Sequence, residues 1–285
     1  MRVYSALMLS SFALPLGFAA DLLPETKRAF DRYVQLTEAG LDRNLNGGHF
    51  LYSDLSSGEK AKLRKGEVTI MPRQALDNGK EIDVPGGLVQ DWLGILFIPN
   101  AAVDQVRAVL EDYPAYKNLY KPEVIDSKLL NRNGNEFDIF LRLYKRQFLT
   151  VVLNANYHVK FGLLDPTHLY VNSRSTRIAE VDNPERSMTL EQPVGHDDGF
   201  LWALNSYWRI EQADGGVYAQ LEAISLSRDL PFGLFWLKGF LQKFPKDSME
   251  ATLRGTKRAV KNQLRAAGDD PGHLIAVLAG KNLSE

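Results

Sequence analysis

Residues 205–237 read NSYWRIEQADGGVYAQLEAISLSRDLPFGLFWL, and this stretch decides the fold: two strand patterns around a tight turn run straight into aromatic residues. Asp214-Gly215 is a favoured two-residue hairpin loop. With that pair at the centre, Gln212 faces Val217, Arg209 faces Gln220, Trp208 faces Leu221, Tyr207 faces Glu222 and Ser206 faces Ala223. Side chains alternate along a strand. One face therefore carries Trp202, Leu204, Trp208, Ala219 and Leu221, and the other carries Asn205, Tyr207, Arg209, Gln220 and Glu222. If the polar face meets water, Arg209 and Glu222 are a diagonal surface pair worth ~0.5 kcal/mol. If it lines a cavity, it orients a ligand headgroup. The face with two tryptophans makes the better apolar wall, but the register alone does not say which face is inside.

The run FGLFWLKGFLQKF, residues 232–244, is apolar on nearly every side of a helix, so Phe232, Phe235, Trp236 and Phe240 cannot all face one core. Three placements are open: packing on an N-terminal helix, roofing a cavity entrance, or dipping into a bilayer surface with Lys238 and Lys243 at the headgroups. Helix is expected over 231–267 in two parts joined at Pro245. Asp247 and Glu250 have capping-box spacing for the second part, and Met249, Leu253, Thr256, Val260 and Leu264 form its apolar stripe.

Upstream, alternating patterns predict strands over 124–131, 136–146, 149–161, 168–181 and 200–212, ahead of 217–228. They follow an extended apolar run, GLVQDWLGILFI, and a helix that Asn100 is placed to cap. Nearer the N-terminus, Phe30, Val34, Thr37 and Leu41 share one face of a helix. Ser56 with Glu59 reads as a capping box, Gly66 as a helix stop, and EVTIM as a short strand. Strands in series followed by a long helix argue for α+β with an antiparallel sheet.

The chain has 285 residues, 45% hydrophobic and 24% charged, with a formal net charge of -1. That is an ordinary globular composition, and it lacks the basic footprint of a nucleic-acid binder. Arg2 precedes an apolar run to Ala20, and Gly17 and Ala19 have the small-residue spacing of a signal-peptidase site. Residues 1–19 are read as a signal peptide, which predicts a periplasmic or secreted protein. There is no cysteine, which removes disulfides, thiol nucleophiles and thiolate metal sites. Of the five histidines, His49, His158, His168, His196 and His273, none has HExxH spacing, and no P-loop, GxGxxG or GxSxG occurs. No metal, cofactor or catalytic set is assigned.

VLEDYPAY, residues 109–116, and LSRDLPFG, residues 226–233, in this order of elements, resemble the START/SRPBCC superfamily, which includes Bet v 1-like proteins and polyketide cyclases. TRIAEV, LNSYWR and GGVYAQLEAISLSRDLP are similar to exported bacterial SRPBCC-like proteins of unassigned function. The resemblance covers about residues 87–268. It implies a helix-grip fold, a curved antiparallel sheet of about seven strands around a long C-terminal helix, with a cavity between them. Residues 20–86 would be a helical extension with a short strand, and 269–285 a tail. Known members hold lipids, sterols, quinones, polyketides or plant hormones, and a minority are enzymes. The expectation is non-catalytic binding of a hydrophobic small molecule such as a lipid, quinone or polyketide, with transient contact at a membrane surface as a further possible partner. Trp202, Trp208, Leu221, Phe235 and Trp236 are the expected wall, and Arg174, Tyr207, Arg209 and Glu222 the polar contacts. The alternatives are a cyclase, dehydratase or hydrolase in the same cavity, needing a buried Glu222, Tyr207 or Arg209 with a shifted pKa, and an interaction module with no ligand.

Overall fold

The computed structural model describes residues 20–46, 50–51, 55–146, 150–182, 190–229 and 238–269. Residues 1–19, expected to be a signal peptide, His49, His273, Phe235, Trp236 and the residues beyond Asp269 lie outside them. The chain begins with β1 (Ala20–Asp21), α1 (Pro24–Asn46), α2 (Ser57–Arg64), β2 (Thr69–Pro72), β3 (Leu76–Asp77), β4 (Lys80–Glu81) and β5 (Gly87–Pro99). Then come α3 (Val103–Glu111), a 3-10 turn at Tyr113–Ala115, α4 (Tyr116–Leu119), β6 (Val124–Asn133), β7 (Glu136–Arg146), β8 (Thr150–Asp165) and β9 (His168–Asp182). It ends with β10 (Leu190–Glu191), β11 (His196–Asp197), β12 (Ala203–Ala213), β13 (Gly216–Arg228) and α5 (Lys238–Asp269).

The main sheet is antiparallel in the order β2-β5-β13-β12-β9-β8-β7-β6, with β10 beside β9. The last strand returns beside β5, and α5 packs across β5, β13, β2 and α3. This is the helix-grip arrangement, extended by β2 on one edge. The hairpin that decides it forms as the turn chemistry requires. Asp214 and Gly215 both have positive φ, 53° and 74°, as a type I′ turn demands. Every pairing expected from it, from Ser206 with Ala223 to Gln212 with Val217, is present.

Alternation sorts the sheet into two buried faces. The concave face carries Phe137, Ile139, Val159, Phe161, Val171, Trp208 and Leu221, and meets Met249, Leu253 and Val260 of α5. The α5 stripe is thus the expected one, with Tyr120 Oη and Thr256 Oγ1 joined at 2.9 Å. The convex face is covered by the N-terminal extension. Phe30, Tyr33, Val34 and Leu41 of α1 pack with Tyr207, Ile224 and Leu226, and Phe50, Leu51 and Leu63 pack with Leu93, Ile95, Phe97 and Tyr218. Cover on both sides explains why β5 is a nearly continuous apolar run. The Ser56–Glu59 capping box forms as expected, and Gly66 ends its helix with φ of 100°.

Two local expectations are corrected. Asn100 does not cap α3; it takes φ of 61° in a turn, with its N–H donated to Gly215 O at 2.9 Å. The α3 N-cap is Ala102, which has no side-chain oxygen to offer. Gln105 Oε1 accepts from Ala102 N–H at 2.8 Å, and Gln212 Oε1 accepts from Val103 N–H at 3.1 Å, so two glutamines do the capping. Pro245 lies inside α5 rather than at a joint. The proline removes one backbone donor, and packing of the stripe beyond it carries the helix through. Asp247 and Glu250 are therefore mid-helix, and Glu250 accepts from Arg254 at 2.8 Å.

Gly94 sets how closely the helix is gripped. A Cβ there would lie 2.7 Å from Leu253 Cδ1 and 2.8 Å from Met249 Sδ. Gly94→Val is expected to lower stability by about 1–3 kcal/mol through overpacking, read as a lower urea midpoint with an unchanged slope.

Candidate functional site

The concave face can be followed row by row through its strand pairings. One row runs Trp92, Ala223, Ser206, Ser173, Val159 and Phe137. Its neighbour runs Gln90, Ser225 and Leu204, crosses to β9 where Leu204 N–H donates to Ser175 Oγ at 3.0 Å, and continues through Tyr157 to Ile139. The middle of the first row is short, with Ser173, Ser206 and Ala223 half-buried, and in the second the half-buried Ser175 and Ser225 flank Leu204. A row further on carries Leu221, Trp208 and Val171. The result is a shallow trough across β13, β12 and β9, floored by small side chains except at Leu204. Trp92 stands at one end, Tyr157 at the other, and Trp208 and Leu221 along one side.

Tyr157 is the electrostatic oddity of this surface. Its hydroxyl is buried without a hydrogen-bond partner among the described residues, and burial alone pushes its pKa above the ordinary phenol value. Tyr113, over Phe137 with ring centroids 5.5 Å apart, has a second unpartnered hydroxyl. By contrast Tyr116 donates to Leu110 O at 2.7 Å.

Of the expected wall, Trp208 and Leu221 lie on the concave face. Trp202 does not share it. The strand starts at Ala203, and Trp202 turns into the α1 cluster, where its Nε1–H donates to Asp197 Oδ1 at 2.9 Å. Tyr207, Arg209, Glu222 and Arg174 share the convex face, as the register requires. The watery reading of that face fails, because Tyr207, Arg209 and Glu222 are 0%, 1% and 5% exposed. They form a polar layer beneath α1. Glu38 of α1 accepts from Tyr207 Oη at 2.8 Å and from both arms of Arg174. Arg209 donates to Asn172 at 3.1 Å and to Trp208 O at 2.9 Å, and lies 5.4 Å from the Tyr170 ring centre. Burial pulls its pKa down, opposed by the nearby Glu222 charge.

Asp91, two residues before Leu93, completes this layer, and neither it nor the serine floor was singled out from sequence. Burial, then the Glu222 charge, hold the Asp91 carboxyl well above the usual carboxylate range. Glu222 is also raised by burial, opposed by Arg73 and Arg209. Tyr33 Oη donates to Asp91 Oδ2 at 2.9 Å and accepts from Ala75 N–H at 2.9 Å. Tyr33 also lines a solvent-open groove of about 500 Å³ with Arg73, Asp83, Val84, Val89 and Asp229. A third acidic spot lies at the β9–β12 turn. Glu180 accepts from Phe200 N–H at 2.7 Å and Asp198 N–H at 3.2 Å, yet burial pushes its pKa up to about 7. Among the described residues no group of three His, Asp or Glu is arranged to hold a metal ion. Nor is any described helix long and apolar enough to cross a membrane.

No family model and no curated relative matches this chain. Among solved structures it is similar to the Zhui aromatase/cyclase from Streptomyces, at 14% identity and a TM-score of 0.46, over 64% of this chain and 99% of that one. It is similar to a STAR-related lipid transfer protein from Xanthomonas axonopodis, at 19% identity and a TM-score of 0.42, over 64% and 96% of the two chains. For human STARD10 the values are 10%, 0.43, 76% and 84%.

Two measurements probe the buried polar groups. Tyr33→Phe removes a donor from buried Asp91 and an acceptor from Ala75 N–H, and is expected to cost about 1–3 kcal/mol in urea denaturation. The folded pKa of Glu180 lies above its unfolded value, so the folded state holds the extra proton. Its contribution is fully present below the ordinary carboxylate pKa and is lost as pH rises through about 7. Stability should therefore fall between pH 5 and 8 by on the order of 1–3 kcal/mol. Glu180→Gln, which keeps the acceptor, should flatten that slope.

Proposed function

We propose that the protein binds an apolar small molecule in the concave trough and carries it without catalysis. The observation that supports this is the half-buried floor of small side chains between Trp92, Trp208 and Tyr157, on a face that is otherwise apolar. At Ser173, Ser175, Ser206, Ala223 and Ser225 the side chains are short, with Leu204 the one long side chain among them. Aromatic and aliphatic walls contribute affinity at about 25 cal/mol per Å² of apolar area buried, and a few polar groups set orientation. Carriage is favoured over an enzyme because Tyr207, Arg209 and Glu222, the groups that an enzyme reading needs, lie on the opposite face of the sheet from the trough.

We further propose that the protein is exported and matured after Ala19. Ala20 and Asp21 pair with Asp197 and His196, and Leu22 N–H donates to Gly195 O at 2.8 Å. A chain starting at Ala20 keeps all of these contacts.

One experiment addresses both readings: native mass spectrometry of the protein purified from its own host. The expected spectrum shows a polypeptide beginning at Ala20 with a non-covalent small-molecule adduct, lost on denaturation and weakened by Trp208→Ala. Absence of an adduct, together with no binding of 1-anilinonaphthalene-8-sulfonate, would overturn the carrier reading. An unprocessed chain would overturn export.

A further inference from the structure

A buried acidic spot sits where the connection from β9 to β12 meets β1. Glu180 of β9 and Asp197 of β11 are 3% and 1% exposed, and the charge of Asp198 acts on both. Glu180 is satisfied by Phe200 N–H and Asp198 N–H, one on each oxygen. Asp197 is satisfied on one side only. Its Oδ1 accepts from Gly199 N–H and from Trp202 Nε1–H, both at 2.9 Å, while Oδ2 is buried with no hydrogen-bond partner among the described residues. The Gly195 amide favours the carboxylate by its proximity, but makes no hydrogen bond to Oδ2. A buried charge without a partner is costly, and native structures seldom leave such an oxygen unused without a reason. Of the basic groups nearby, His196 is bound to Asp21 at 2.6 Å, and Arg228 of β13 passes over Gly199. The charges that raise the pKa values of Asp197 and Glu180 are those of their acidic neighbours.

Ala20 is the residue that faces this spot, as the cross-strand partner of Asp197. Leu22 N–H donates to Gly195 O at 2.8 Å, and hydrogen-bonded pairs recur at every second residue of an antiparallel ladder. Ala20 and Asp197 are therefore such a pair too, with the Ala20 nitrogen turned toward β11. Directly opposed residues project their side chains to the same face. The Ala20 methyl packs on the cluster that holds Trp202, whose indole is bonded to Asp197. Nitrogen, indole and carboxyl thus meet in one corner.

Cleavage after Ala19, proposed above and required here, changes the character of that nitrogen. While the bond to Ala19 is intact, it is an uncharged amide whose one proton is used by the ladder. Hydrolysis by a signal peptidase adds water across the bond, leaving a carboxylate on Ala19 and an ammonium with three protons on Ala20. One proton keeps the ladder bond, two become free, and the charge has the sign that the acidic spot needs. We propose that the Ala20 ammonium made by cleavage binds the Asp197 carboxylate through Oδ2 and locks β1 onto β11 in the mature chain only. The helix α1 starts shortly afterwards, at Pro24. The lock therefore fixes the leading end of the helix that covers the convex face, together with the connection that seats Trp202 against it.

The test compares the chain beginning at Ala20 with one in which Gly-Ser precedes that residue. In the mature form, the carbon-13 shift of the Ala20 methyl group followed against pH should report an α-amino pKa about one unit or more above the usual ~7.7–8.0. In Asp197→Asn it should return to that range. The Gly-Ser form should have a lower urea midpoint, with its folding equilibrium reduced about tenfold, and the same addition to Asp197→Asn should change nothing. Because the folded pKa of the ammonium lies above the unfolded one, the advantage of the mature form is fully present below the unfolded value and is lost as pH rises through the folded one. The two midpoints should therefore converge at high pH. An ordinary α-amino pKa in the wild type, or an equal loss on extension with and without Asp197, would overturn the inference and leave export standing. If Asp197→Asn does not fold, the wild-type titration decides alone. A chain from the host that does not begin at Ala20 would overturn export, and the lock with it.

Discussion

The two-residue turn at Asp214-Gly215 is the constraint on which the two faces of the sheet depend. Both residues sit at positive φ, which fixes the register of β12 on β13 over eleven pairs. A slip of one residue would turn every side chain of a strand to the other face. Arg209 and Glu222 would then project toward α5, and Trp208 and Leu221 toward α1. Neither face could absorb that exchange, because the opposite charges that act on Arg209 and Glu222 are each other, Asp42 of α1 and Arg73, all on the convex side. The sheet is therefore specified from both sides at once.

The convex layer is costly by simple electrostatics and yet self-consistent. Removing Arg209 from water is opposed by two hydrogen bonds, the face of Tyr170 and the fields of Glu222 and Asp42. Asp91 and Glu222 are diagonal neighbours on β5 and β13, since Leu93 is the residue opposite Glu222. Burial first, and then the reluctance of two carboxylates this close to ionise together, raise the pKa of Asp91. Apolar residues of the same volume would hold two layers together as well or better. What the polar layer adds is registry: Tyr33 and Glu38 each have one geometrically acceptable partner set, so α1 is fixed in rotation and translation on the sheet.

How much of this was legible in the sequence follows from how local each determinant is. The hairpin register, the Ser56–Glu59 capping box, the α1 face and the α5 stripe are all set by residues within a turn or two of one another, and all were readable. Asn100 was misread because an N-cap and a left-handed turn favour the same residue type. The cap came instead from Gln212, 109 residues away from Val103. Trp202 was misread because alternation was extended one residue past the start of the strand. The register left open whether the polar stripe meets water or lines a cavity; it is instead buried under α1, which only the tertiary position of that helix decides. The serine floor was invisible for a related reason. Ser173, Ser206 and Ser225 lie on three different strands, and they become one surface only when the pairings of β9, β12 and β13 are laid side by side.

Covering the convex face has a consequence for the concave one. An open sheet with one solvated face relies on its other face for cohesion, and must fill it with bulky side chains. Here α1, α2 and β2 supply apolar clusters on the convex side, so the middle of the sheet is already held. The concave rows can then end in serine and alanine at β9, β12 and β13 without loss of the sheet. Gly94 works in the same direction, because the missing Cβ lets Met249 and Leu253 of α5 settle directly on β5. The helix is thereby anchored at the β5 side. Close-packed interiors tolerate few voids, so a trough of small residues persists only where the surrounding framework is secured from elsewhere. The N-terminal extension, outside the helix-grip pattern itself, is what secures it.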